Sequence, residues 1–292
     1  MAERYRSFVA QRLRFGLCTD QNLPWEKTVE RWRLFEELGF DSVWDCDHYL
    51  QPSRPEGPYF EAWTLLAGLA AATERIRIGV LVSCNTFRHP YLLAKEAVTV
   101  DHVSGGRLEF GLGAGWYEPE HRMLGAPLPE PRELVDRFEE AVKICDGLFR
   151  EGALNFEGRH YRLRDAALRP LPVQRPRPPF TLGAHKRRML GIVARYADAW
   201  NSFGTEAEIR DRSAILDEEC AKIGRDPAEV RRSLYYWVPR ADADPWASTD
   251  AFEDVIGRYR EAGIDEFILD HPSDAQLGVL ERVAAEILPR LR

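Results

Sequence analysis

The sequence predicts a single α/β barrel, eight parallel strands each followed by a helix, and three observations predict it. Cut at its turns, the 292-residue chain yields eight short apolar runs, each trailed by a segment with helical spacing. Glycine and proline stand at the joints between these units, where turns need them. No flexible linker or internal repeat divides the chain, so residues 1–292 read as one barrel domain with a single interruption at 152–179.

Strand one is read as Arg12 to Leu17, and its helix as Pro24 to Leu38. Pro24 suits a first helical turn and Gly39 a left-handed stop. Strand two is Asp41 to Trp44, with an Ala- and Leu-rich helix over Glu61 to Thr73. Strand three, Arg77 to Val82, is apolar and β-branched, as strands buried on both faces are. Helix three covers Pro90 to Val103, strand four Arg107 to Leu112, and helix four Glu133 to Phe149. Between Gly152 and Pro179 the rhythm breaks. Asn155 to Leu163 alternates around Glu157-Gly158 like a small hairpin, and Arg169 to Pro179 holds five prolines and is expected to be extended. Strand five is then Phe180 to Leu182, helix five Lys186 to Tyr196, strand six Ala199 to Asn201 and helix six Glu206 to Ile223. Strand seven (Arg231 to Val238), helix seven (Phe252 to Ala262), strand eight (Glu266 to Leu269) and a last helix (Asp274 to Leu291) complete the count.

Composition narrows the function classes. The chain is 45% hydrophobic and 30% charged, enough to bury a large core. A net charge of −7 without long runs of one sign argues against nucleic acid as a partner. No apolar run reaches membrane-spanning length, and the opening residues carry no secretory signal, so the cytoplasm is the expected compartment. Five cysteines without a CxxC do not make a disulfide framework.

In such a barrel the loops after strands carry the chemistry. That rule keeps His48, His89, His121, His185 and His271 as candidates and assigns His102 and His160 to the opposite end. The densest polar cluster is Asp45-Cys46-Asp47-His48-Tyr49 at the end of strand two, where a histidine beside carboxylates can manage a proton; the same residues can equally close a turn. Strand three ends in Leu81-Val82-Ser83-Cys84-Asn85-Thr86-Phe87-Arg88, small polar groups and a cation that suit a cofactor wall or the capping of helix three. Gly111-Leu112-Gly113-Ala114-Gly115-Trp116 lets backbone approach something flat or bulky, or pack tightly at the barrel rim; Trp116 stands where a dinucleotide fingerprint needs its third glycine, which disfavours a nicotinamide site. After strand five, Gly183-Ala184-His185-Lys186-Arg187-Arg188 opens a helix with three cations, a combination that can hold a phosphate or simply form a solvated face. Cys18, Cys46 and Cys84 follow three neighbouring strand ends, but their spacing matches no zinc pattern, and no metal is expected.

Taken together, these segments resemble the luciferase-like flavin and deazaflavin oxidoreductases. The matching pieces are Glu37 to Trp44, Asp47-His48, Arg77-Ile78-Gly79 through Arg88-His89-Pro90, Asp101 through Gly115-Trp116, and Ala197 to Asn201. Asp47-His48 and the Gly-Ala-Gly-Trp stretch look most like members that use coenzyme F420. The resemblance implies a ring lying against Asp47, His48, Leu81, Val82, Ser83 and Cys84, with a non-proline cis peptide near Leu81-Val82. Gly113, Ala114 and Gly115 would wall that ring, and Gly183, Ala184, His185 and Lys186 would take the phosphate. The chain departs from the pattern twice. Ala184 stands where relatives often carry a second glycine, and Trp116 stands where some F420 enzymes carry a catalytic glutamate, Glu118 following two residues on.

The function so implied is F420-dependent hydride transfer to or from a small organic substrate, with His48 as proton donor or acceptor held by Asp47. FMN-dependent monooxygenation on the same scaffold is the alternative, and a non-catalytic cofactor-binding protein the remaining one. Trp116, Tyr117 and Phe203, with Trp237, are expected to line a substrate pocket, and Pro239 to Ala251 is long enough for a lid. Relatives are often homodimers, and a homodimer is expected here.

Overall fold

The computed structural model describes residues 12–292, so the opening residues that carry the reading of no secretory signal lie outside it. Strand β1 (Arg14–Cys18) leads through α1 (Trp25–Glu37) to β2 (Ser42–Asp45), α2 (Ala62–Ala72) and β3 (Arg77–Val80). A two-residue strand β4 (Ser83–Cys84) follows, then α3 (Pro90–Val103), β5 (Leu108–Gly113), a short helix α4 (Glu118–Met123) and α5 (Pro131–Glu151). The insertion forms an antiparallel hairpin of β6 (Ala153–Glu157) and β7 (Arg162–Ala167). The chain resumes with β8 (Phe180–Gly183), α6 (Arg187–Tyr196), β9 (Ala199–Ser202), α7 (Glu206–Lys222), β10 (Arg231–Tyr236), α8 (Thr249–Glu261) and β11 (Glu266–Asp270). The last helix is a composite: α9 (Leu277–Arg282), a π turn at Val283–Ile287 and α10 (Leu288–Leu291).

The pairings β1–β2, β2–β3, β3–β5, β5–β8, β8–β9, β9–β10, β10–β11 and β11–β1 are all parallel and close an eight-stranded barrel. Its strands are buried on both faces because helices cover the outside and side chains fill the inside. Outward-facing Phe15, Leu17, Val43, Ile78, Phe110 and Leu182 pack under the helices. Inside, Trp44 packs with Cys18, Leu81 and Ile268. Two missing side chains make room for its indole: a Cβ on Gly79 would lie 2.5 Å from it, and one on Gly16 3.3 Å from its nitrogen. At the N-terminal end, the buried carboxylates of Glu109 and Glu266 meet Arg14, Arg77 and Arg231. This ionic layer closes the barrel floor, and Arg12 and Arg14 lead from it into a cavity of about 510 Å³.

The structure differs from the sequence reading at several joints. Helix α4 was not expected, α5 starts two residues earlier, and the seventh strand stops at Tyr236 because Val238–Arg240 turns as a 3₁₀ helix. The hairpin is longer than Asn155 to Leu163, with Gly158 closing the turn onto Tyr161. It also moves His160. The hairpin runs back along α5, so the ring of His160 sits 3.9 Å from Glu133 and from Asp136 in the first turns of that helix, not at the barrel floor. His102 stays at the end of α3, bonded to the Leu171 carbonyl.

Candidate active site

The C-terminal ends of the strands enclose a second cavity, of about 500 Å³, and the residues singled out in the sequence gather around it. Asp47, His48, Leu81 to Cys84, Gly113 to Tyr117, Gly183 to Lys186, Phe203 and Trp237 all line it. His89, His121 and His271 do not. His89 caps α3, His121 is buried with Nε2 on Thr86 Oγ1, and burial lowers the pKa of His271.

The loop after β2 is held from two sides. The buried side chain of Gln21 grips Cys46, donating to its carbonyl at 2.7 Å and accepting from its N–H at 3.0 Å. Asp47 is buried, and its carboxylate does not hold His48. It accepts from Arg88 at 2.5 and 3.0 Å and from the Cys84 N–H at 2.7 Å, tying the loop to β4. Burial pushes the Asp47 carboxyl up against the pull of Arg88, with a net rise. His48 is held instead by Glu120, Nδ1 to Oε2 at 2.8 Å. Glu120 is wholly buried, and its other oxygen accepts from the N–H groups of Tyr49 and Leu50 at 2.5 and 3.1 Å. Three donors therefore converge on one buried acid, which fixes the ring with its proton on Nδ1 and leaves Nε2 without a protein partner among the described residues.

The opposite wall is the irregular end of β3. The Leu81–Val82 peptide is cis, as the resemblance implied, and Ser83 and Cys84 then pair with Leu112 and Gly113. The neighbouring glycines are sterically required. A Cβ on Gly111 would stand 1.9 Å from the Val80 carbonyl oxygen, and one on Gly113 2.6 Å from Val82. Gly115 has φ +92° and faces Thr86 and Cys84.

The loop after β8 offers less positive charge than its sequence suggests. Arg187 pairs with Glu218 and Glu219, and Arg188 with Asp136, so of the three cations only Lys186 faces the cavity. His185 stacks edge-on against Phe203, and burial, helped by Arg212, lowers its pKa to about 4. Trp116 and Tyr117 both stand edge-on to His48, and Phe203 meets Trp237 at 6.1 Å. The segment expected as a lid is pinned at its centre: Trp246 is buried and bonds the Asp270 carbonyl.

Several lining residues were not anticipated. Glu120 and Arg240 are two; Asp20 and Asp270, at the ends of strands one and eight, are two more. Asp270 accepts from the Tyr235 hydroxyl at 2.7 Å and the Val238 N–H at 2.9 Å, and burial pushes it up to about 7. The rule that strand ends carry chemistry would have found both aspartates. Of the three cysteines, Cys18 and Cys46 approach one another, Sγ to Sγ 3.4 Å, while Cys84 turns to Thr86.

Fold and pocket define a (β/α)8 barrel with a deep cavity at the C-terminal ends of its strands. The chain belongs to the luciferase-like monooxygenase family, whose model matches residues 7–277. An F420-dependent glucose-6-phosphate dehydrogenase of Microbacterium testaceum is 30% identical over 96% of this chain and 98% of its own. A protein of the same name from Amycolatopsis mediterranei is 36% identical over 88% and 92%. An FMNH2-dependent dimethylsulfone monooxygenase of Pseudomonas putida is 31% identical over 64% of this chain and 55% of its own. The fold is shared with an F420-dependent secondary alcohol dehydrogenase solved as an F420-acetone adduct, at a TM-score of 0.82 and 19% identity over 97% of this chain and all of that one.

Proposed function

We propose that this protein is an F420-dependent oxidoreductase that moves a hydride between the deazaflavin and a small organic substrate. The observation that carries the reading is the convergence on one cavity of a buried His48–Glu120 pair, a glycine wall, the β3 bulge and the loop at Gly183 to Lys186. A flat ring fits this cradle: Gly113 and Gly183 let bare backbone close against the Val82 side chain, so the cavity wall carries no side chain of its own at these two positions. The relatives named F420-dependent over nearly their whole length support the same cofactor.

When bound, the deazaflavin supplies the two-electron chemistry. The chain's own residues position and manage protons. Lys186, with the backbone N–H groups entering α6, would hold the cofactor's phosphate. His48 Nε2 would take the proton from a substrate hydroxyl, or return it to a carbonyl, while the Glu120 carboxylate balances the charge on the ring. Trp116, Tyr117, Phe203 and Trp237 would exclude water around the substrate. Asp47 would position the bulge through Cys84 rather than touch the reacting atoms.

Titration of the purified protein with F420 and, separately, FMN tests the reading through cofactor fluorescence. Micromolar or tighter F420 with weak FMN is expected. The reverse would make the protein a flavin monooxygenase, and binding of neither would end the cofactor reading. His48→Ala should keep cofactor affinity and cut turnover by about 10²–10⁴. The proposal includes one barrel domain over residues 1–292, a cytoplasmic location and a homodimer. Leu92 and Val103, about half exposed on one stripe of α3, support the last, and molar mass by light scattering checks it.

A further inference from the structure

Two thiols lie in contact in the cavity wall. Cys18 ends β1 and Cys46 is the first residue past β2; their Sγ atoms are 3.4 Å apart, although 28 residues separate them. Cys18 is buried at 2% exposure, whereas Cys46 lines the cavity. Both backbones are anchored. Gln21 grips Cys46 on both sides, and the Cys18 carbonyl accepts from the His271 N–H at 2.9 Å. Closing the gap to the S–S bond length of about 2.0 Å therefore falls to side-chain torsions. Cys84 and Cys145 have different neighbours: Cys84 meets Thr86 Oγ1 at 3.1 Å, and Cys145 meets the Pro90 carbonyl at 3.6 Å.

We propose that Cys18 and Cys46 are an oxidisable dithiol, a modification site at which hydrogen peroxide forms a disulfide in the wall of the cavity. The Cys46 thiolate attacks one peroxide oxygen, the O–O bond breaks, and water leaves after protonation, making Cys46 a sulfenic acid. The Cys18 sulfur then attacks the Cys46 sulfur, the S–O bond breaks, and the second water leaves. Two thiols lose two electrons and two protons in all, and the peroxide becomes two waters. Exposure sets the order. Cys46 faces the cavity and meets the oxidant first, while the contact with Cys46 and burial raise the pKa of Cys18 and keep it a thiol, so that it reacts only with the Cys46 sulfenic acid held in contact with it. The bond would tie the end of β1 to the loop that carries His48.

Mass spectrometry of the full-length protein after peroxide, followed by peptide mapping, tests this. The wild type should become lighter by two hydrogens, yield a linked Cys18–Cys46 peptide and revert with dithiothreitol; Cys84→Ser should give the same link. In Cys18→Ser, Cys46 should instead advance to a sulfinic acid, heavier by two oxygens. Should that variant misfold, phenylarsine oxide on the reduced wild type gives an independent reading, since one arsenic bridging both sulfurs must protect both from alkylation. Peroxide-treated wild type with both thiols still alkylatable, a sulfinic Cys46 without the link, a link between two chains, or no protection by the arsenical would each overturn the proposal.

Discussion

Replacing Glu120 by glutamine exchanges one carboxylate oxygen for an NH2 group and reverses the demand on His48. The carboxylate accepts three hydrogen bonds, from His48 Nδ1 and from the N–H groups of Tyr49 and Leu50. In the variant the amide oxygen can still serve the two backbone donors, which leaves the NH2 group against Nδ1. That group donates, so the neutral ring must move its proton to Nε2. The nitrogen that should accept a proton then carries one. For stability, a bond to a charged acceptor contributes about 1.5–3 kcal/mol against about 0.5–1.5 for a neutral one, so three bonds lose about 3 kcal/mol. Those per-bond figures are already net of taking the groups out of water, so the expected loss is about 3 kcal/mol. Urea denaturation should therefore show a lower midpoint at unchanged slope. Nitrogen-15 shifts of the ring should report the tautomer change, and turnover should fall by about 10²–10⁴ with F420 affinity nearly intact. A variant of wild-type stability whose His48 keeps its proton on Nδ1 would refute the reasoning.

Three further outcomes follow from the same geometry. Gly111→Ala would press a methyl group 1.9 Å from the backbone oxygen of Val80, where no rotamer relieves it, and should cost more than about 4 kcal/mol; Gly39→Ala, at φ +80° with open space around it, should cost only about 1–2 kcal/mol, and calorimetry of the pair separates contact from backbone strain. Asp270, raised to about 7 from an unfolded value near 3.9, holds its proton more tightly when folded, so its contribution to stability is full below about pH 4 and is lost as pH rises toward 7; that slope, worth about 2–4 kcal/mol across the window, should vanish in Asp270→Asn when urea midpoints are compared from pH 4 to 8. Arg88→Met strands the buried Asp47 carboxylate and should cost about 3–5 kcal/mol, and adding Asp47→Asn should recover a large part of that loss, a coupling that a double-mutant cycle measures directly.

What could be read in advance was whatever repeats. Eight strands were legible because each is a short run of Val, Ile, Leu, Phe or Trp buried on two faces, and the helices between them carry their own period. Position at a strand end then gathered His48, Ser83, Gly113 and Lys186 at one cavity without any knowledge of their contacts. Pairing was the part that failed, for a geometric reason. Asp47 adjoins His48 in sequence, but β2 has ended and the His48 N–H bonds the Cys46 carbonyl in a tight turn centred on Asp47, whose side chain goes to Arg88, 41 residues on. The partner His48 does have is 72 residues away, on a six-residue helix that lacks a side-chain cap. Consecutive helical residues fan out by about 100° each, which is why Arg187 and Arg188 swing to Glu218 and Asp136 while Lys186 alone meets the cavity. A periodic pattern thus locates a site, whereas its electrostatics depend on contacts that no local period encodes. Glu120 is the sharpest case: with Trp116 in the place where some F420 enzymes carry a catalytic glutamate, the acid that holds His48 reaches it through Nδ1, and no described residue bonds Nε2, the atom proposed to take the substrate's proton.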